Sequence, residues 1–163
     1  MQRIIYLLIA TIFWVSDVMC ATDPFVGKWK MNVKKSKFAP GACPKSMVIN
    51  MESVGDGIRY YSETTYANHR SSRSEYTADY NGAQLIVTGD YGMLLPVSLK
   101  RPDSNTVIAS YTSALQIVAR SRRVVSKDGR IMIITTTSAD HSGKYVTSIG
   151  VYERAGPAAT QSN

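Results

Sequence analysis

Two histidines, His69 and His141, are the only side chains of this 163-residue chain whose ordinary pKa suits a general base near neutral pH. Both stand in turn-like contexts, Asn68-His69 and His141-Ser142-Gly143, where a solvated turn residue is the commoner role. No Ser-centred nucleophile motif, metal-ligand spacing or Gly-rich phosphate loop occurs, and the carboxylates are scattered over turns. The residues therefore predict no catalytic set, no metal and no cofactor. What remains is recognition chemistry, and it concentrates on one arginine and two tyrosines.

Arg123 is the unusual residue. In the predicted strand 115–126 it shares a face with Leu115, Ile117, Ala119 and Val125, so an otherwise apolar, inward face carries a cation. A buried charge is costly unless paired, which leaves two readings. It either anchors an anionic ligand head group, or it stacks over a buried Trp29 and hydrogen-bonds to one end of the fold. Tyr60 and Tyr152 also fall on faces assigned inward, as ligand contacts or as filling.

These residues need strands to position them. Turn signals such as Gly55-Asp56-Gly57, Asn81-Gly82, Lys127-Asp128-Gly129 and His141-Ser142-Gly143 punctuate runs rich in Val, Ile, Thr and Tyr. Strands are expected near 25–34, 46–54, 57–67, 70–80, 84–88, 94–101, 105–112, 115–126, 130–138 and 144–154. No segment shows a 3.6-residue apolar period, and 35–45, with two prolines and a glycine, reads as a loop. In Phe25-Val26-Gly27-Lys28-Trp29 the alternation sends Phe25, Gly27, Trp29 and Met31 inward and Lys28, Lys30 and Asn32 outward, with Gly27 and Trp29 closing one end. The fold class is all-β. Hairpin-linked strands that close first onto last dispose of both edges, so a closed up-and-down antiparallel barrel of about ten strands follows, with no helical lid; a two-sheet sandwich is the alternative. About ten strands enclose more than side chains alone fill, and a cavity is expected.

Ahead of the barrel, residues 1–20 have the layout of a cleaved secretory signal: a basic start at Arg3, a nearly unbroken apolar run over 4–15, then small and polar residues. That run is shorter than the roughly 20 residues a spanning helix needs. Cleavage is expected after Cys20 or Ala21, with a lipid anchor on Cys20 as the rival reading. The chain would then be secreted or periplasmic, with one domain over 21–154 and a disordered tail at 155–163. Cleavage leaves Cys43 as the sole cysteine, so no intramolecular disulfide forms. The net charge of +7 turns the chain towards anionic surfaces or ligands, or simply keeps it soluble. Export argues against a nucleic-acid partner for the basic run at 120–123, and a monomer is expected.

The ends of the chain carry a resemblance. Phe25-Val26-Gly27-Lys28-Trp29-Lys30-Met31 resembles the N-terminal strand of the calycin superfamily, and Ser148-Ile149-Gly150-Val151-Tyr152-Glu153-Arg154 is similar to the closing strand of fatty-acid-binding proteins. Closer still are small exported bacterial lipocalin-like proteins, which the chain resembles in Asn32, Lys35-Ser36-Lys37-Phe38, Gly55-Asp56-Gly57, Tyr76-Thr77-Ala78 and the run from Arg123 to Gly129. The resemblance implies a barrel that binds a small apolar or amphipathic ligand without chemistry. Two departures matter. Segment 35–45 is too short for the helix pair that lids fatty-acid-binding proteins, and their carboxylate-holding Arg-x-Tyr pair is Gly150 and Tyr152 here. A protein-interaction or inhibitory barrel, or an enzyme using the cavity, are the alternatives.

Overall fold

Lys28 and Lys30 are exposed while Trp29 and Met31 are buried, so the first strand obeys the two-residue period that half-buried sheets impose. The structure, a computed structural model, describes residues 22–38, 43–90, 94–139 and 142–156. The export segment with its cleavage site, His141 and the tail beyond 156 lie outside the described residues.

Eleven strands are formed: β1 (Gly27–Met31), β2 (Ser46–Val54), β3 (Gly57–Thr65), β4 (Ser71–Asp79), β5 (Asn81–Leu85), β6 (Thr88–Gly89), β7 (Val97–Asp103), β8 (Thr106–Ser113), β9 (Gln116–Val125), β10 (Ile131–Ala139) and β11 (Tyr145–Arg154). All pair antiparallel in one curled sheet, in the order β5-β7-β8-β9-β10-β11-β1-β2-β3-β4-β6. First pairs with last as expected, Trp29 facing Arg154 and Met31 facing Tyr152.

The sheet is nevertheless not closed, and its strands number eleven rather than ten. The expected strand 84–88 divides at Ile86-Val87: β5 pairs with β7, β6 pairs with β4, and β4 and β5 share no ladder. The two free edges of the half-barrel are thus joined by the covalent chain instead of hydrogen bonds. Val87 joins the buried core as Ile86 turns out to solvent, so burial of one apolar side chain takes the place of ladder pairing there.

Among the described residues the only helix is one 3-10 turn, Val33–Lys35, where the Asn32 side chain accepts from the Lys35 amide. The interior is graded along the strands. Near the Trp29 end it is packed with Phe25, Ile49, Met51, Leu99 and Met132; towards the other end the buried positions become Ser62, Thr64, Ser72 and Ser121. One facial assignment is corrected. A register shift between Tyr111 and Thr112 and a tight turn at 114–115 break the alternation of β9 at its start, so Leu115 and Ile117 face solvent instead of the interior with Ala119, Arg123 and Val125.

Candidate functional site

Three rungs of inward side chains cross β9, β10 and β11 and change in character along the barrel axis. Nearest the packed end is Val125-Met132-Tyr152, next Arg123-Ile134-Gly150, then Ser121-Thr136-Ser148. The strand period carries each strand from apolar to polar over these steps. Facing them, β3 contributes Tyr60 and Ser62, and the hairpin register sets Tyr60 opposite Tyr76 of β4. Between these walls lies a cavity of about 270 Å³, lined by Arg123, Tyr60 and Tyr152 together with Met47, Tyr111 and the second and third rungs. The structure thus brings all three residues singled out for ligand binding to one cavity.

Arg123 is 3% exposed and belongs to none of the ion pairs among the described residues. Aromatic faces replace a carboxylate. Tyr60 and Tyr76 stack with centroids 4.8 Å apart and planes 9° from parallel, and the guanidinium lies 4.9 Å from the Tyr60 centroid and 5.9 Å from that of Tyr76. One nitrogen, Nη2, donates to the Tyr111 hydroxyl at 3.3 Å. Among the described residues, Arg123 Nε and Tyr76 Oη are buried and meet no partner at good hydrogen-bond geometry, although the Tyr76 hydroxyl faces the guanidinium. Burial pulls the Arg123 pKa down and the surrounding Tyr76, Tyr111 and Tyr60 push it up, the net direction being up, and a guanidinium's ordinary pKa already lies far above the physiological range. Burial likewise pushes the phenols of Tyr60, Tyr76 and Tyr152 up, leaving them neutral.

Around the cation the wall is hydroxylated. Ser62 and Ser74 share a hydrogen bond of 2.8 Å, and Ser121 and Thr136 one of 2.6 Å. The Tyr152 hydroxyl points to Met47 Sδ at 3.1 Å, and its ring folds back over Gly150, where a Cβ would come within 2.7 Å of Cε2. A side chain at position 150 is incompatible with this ring position, so Gly150 leaves room for the ring where an Arg-x-Tyr pair would place an arginine.

The second reading of Arg123 is corrected: it is Arg154 that covers Trp29. Its guanidinium lies 4.2 Å from the Trp29 centroid and donates to the carbonyls of Gly129, Val26 and Pro24. Gly27 permits this, with φ at 125° and the place of its missing Cβ 2.6 Å from Arg154 Nη1. At the same end Arg101 grips Asp23 with two nitrogens at 2.9 and 2.8 Å and lies over Tyr80, a plug with no local sequence signature. His69 sits exposed in the β3–β4 turn at φ 61°, and the thiol of exposed Cys43 donates to the Pro44 carbonyl at 3.5 Å.

Tyr76 and Tyr111 escaped the sequence reading. Tyr76 was within reach, because counting outward from the turn at 66–70 pairs it with Tyr60. Tyr111 was within reach too, since it continues the inward alternation of Val107 and Ala109 along β8 before the register shift begins.

No protein-family model and no curated protein sequence matches the chain. Solved structures similar in fold include the following two. The zebrafish ileal bile acid-binding protein complexed with cholic acid aligns with a TM-score of 0.52 at 11% identity, over 81% of this chain and 99% of its own. Rv2717c from M. tuberculosis aligns with a TM-score of 0.54 at 11% identity, over 82% of this chain and 94% of its own. At such identity the likeness is one of fold, and it is a calycin-type fold.

Proposed function

We propose that this chain is an exported, monomeric, non-catalytic barrel of the small lipocalin-like kind, and that it takes one small amphipathic anion into its interior. The observation that carries this reading is Arg123: a cation buried in the cavity wall, held by ring faces and one hydroxyl, with no ion-pair partner among the described residues. Leaving a charge so placed is expensive unless something completes it. A carboxylate, sulfonate or phosphate group meets the guanidinium, while Met47, Phe38 and Ile134 take the apolar flank and the hydroxyls of Ser121 and Thr136 the polar one. The volume, about 270 Å³, falls just below the ~300–1,000 Å³ usual for ligand sites, so a compact molecule is the better fit. The bile acid-binding neighbour is complexed with an amphipathic carboxylate, which agrees in chemical class.

Native mass spectrometry of protein purified from its host should show a defined added mass that Arg123→Met loses. For a panel of matched ligands, Arg123→Met should weaken anions by at least about 30-fold, the effect of leaving one partner of a buried charge pair without the other, and leave neutral analogues unchanged. Equal loss for both classes, in a protein whose circular dichroism is unaltered, refutes the anchor.

A further inference from the structure

The turn joining β8 to β9 presents a leucine for which neither folding nor turn chemistry gives a reason. Leu115 is 96% exposed, and both Ala114 and Leu115 hold positive φ, 46° and 64°. Two consecutive left-handed residues are the geometry of an Asn-Gly hairpin, and an Ala-Leu pair adopts it only under strain. Nearby, Ile117 is 51% and Tyr145 70% exposed. Both line an outer groove of about 470 Å³ whose other walls include Arg120, Arg122, Thr135 and Thr137. Neither arginine belongs to an ion pair among the described residues. The placement is also specific. The turn before Gln116 and the start of β11 at Tyr145 lie at the end of the sheet towards which the hydroxyl rung of the inner cavity faces, opposite the Trp29 end.

We propose that this hairpin docks the protein onto an anionic lipid surface, with Leu115, Ile117 and Tyr145 entering the headgroup layer and Arg120 and Arg122 meeting lipid phosphates. Exposed apolar side chains flanked by cations match what interfacial binding requires: shallow apolar insertion plus attraction to anionic headgroups. The chain's net charge of +7 acts in the same direction. An acidic protein partner is less well served, because Leu115, 96% exposed, stands outside the walls of that groove with no rim to exclude water around it. Docking there would set the cavity beside a source of amphipathic anions; only that consequence rests on the proposed ligand reading.

The test is co-sedimentation with phosphatidylcholine vesicles, pure or containing phosphatidylglycerol. The wild-type protein should bind the mixed vesicles, and less at high salt. Leu115→Asn suits the left-handed backbone, so it should fold at least as well as wild type, yet weaken vesicle binding about tenfold, the share of one buried leucine. Arg120→Gln and Arg122→Gln should each weaken it about fivefold. Arg123→Met should leave it unchanged, so failure of the cavity reading is told apart from failure of docking. Absence of wild-type binding, or binding that Leu115→Asn does not diminish, overturns the proposal. So does Leu115-dependent binding to polyglutamate without binding to vesicles, which would assign the face to an acidic protein.

Discussion

Arg154 closes the barrel end over Trp29, 4.2 Å from the ring centroid, from the last residue of the last strand to the middle of the first. Its Nε, Nη1 and Nη2 reach the carbonyls of Gly129, Val26 and Pro24 at 2.6, 2.6 and 2.7 Å, and the Trp29 indole donates to the Phe25 carbonyl at 2.9 Å. One planar, fixed-charge group thereby ties the first strand's approach, the β9–β10 turn and the last strand together.

Replacing Arg154 by Ala should lower stability by about 3 kcal/mol or more, since three carbonyls lose a charged donor at once. Arg154→Lys should recover little, because an ammonium cannot span three divergent acceptors. Chemical denaturation of both variants against wild type checks this.

Gly27→Ala should also destabilise, for two separable reasons: a Cβ 2.6 Å from Arg154 Nη1 and a φ of 125° that suits only glycine. In an Arg154→Ala background the first reason vanishes. A double-mutant cycle should therefore show coupling of about 1 kcal/mol or more, whereas additive effects would mean that Arg154 does not cross Gly27.

Tyr76→Phe should change the stability of the ligand-free protein by no more than about 1 kcal/mol, because the ring that supports Arg123 is kept and the buried hydroxyl it removes faces Arg123 without a well-formed hydrogen bond. Tyr76→Leu should destabilise by loss of the stacked pair and the cation–π contact. Thermal unfolding of the two variants separates ring from hydroxyl.

Arg123 and the phenols of Tyr60, Tyr76 and Tyr152 are all shifted upward, so the site keeps one charge state at acidic and neutral pH. The sign of the pH dependence then belongs to the ligand. A carboxylate should bind at full strength above its own pKa and weaken about tenfold per unit as the pH falls below it, while its sulfonate analogue should stay flat. Calorimetric titrations between pH 4 and 7 on both ligands check the difference.

The alternation Phe25, Gly27, Trp29, Met31 against Lys28 and Lys30 was sufficient to set the buried face of the first strand, because a period of two needs only neighbouring residues to be read. Turn residues at Gly55-Asp56-Gly57 and Lys127-Asp128-Gly129 marked hairpins for the same reason, and the disposal of edges implied that β1 meets β11. An inward cation at Arg123 was legible as well, since β9 keeps its period from Ala119 onward. Non-local facts were decided only by the tertiary structure. Which arginine lies over Trp29 depends on the register of β1 against β11, and Arg123 and Arg154 are equally plausible until that register exists. Leu115 lost its inward place to the tight turn at 114–115 and Ile117 to the register shift beside it, which moves side chains across the sheet without any local mark. The opening of the barrel at Ile86-Val87 came from competition between two ladders for one short segment, settled by burial of Val87, a contact whose partners are far away along the chain.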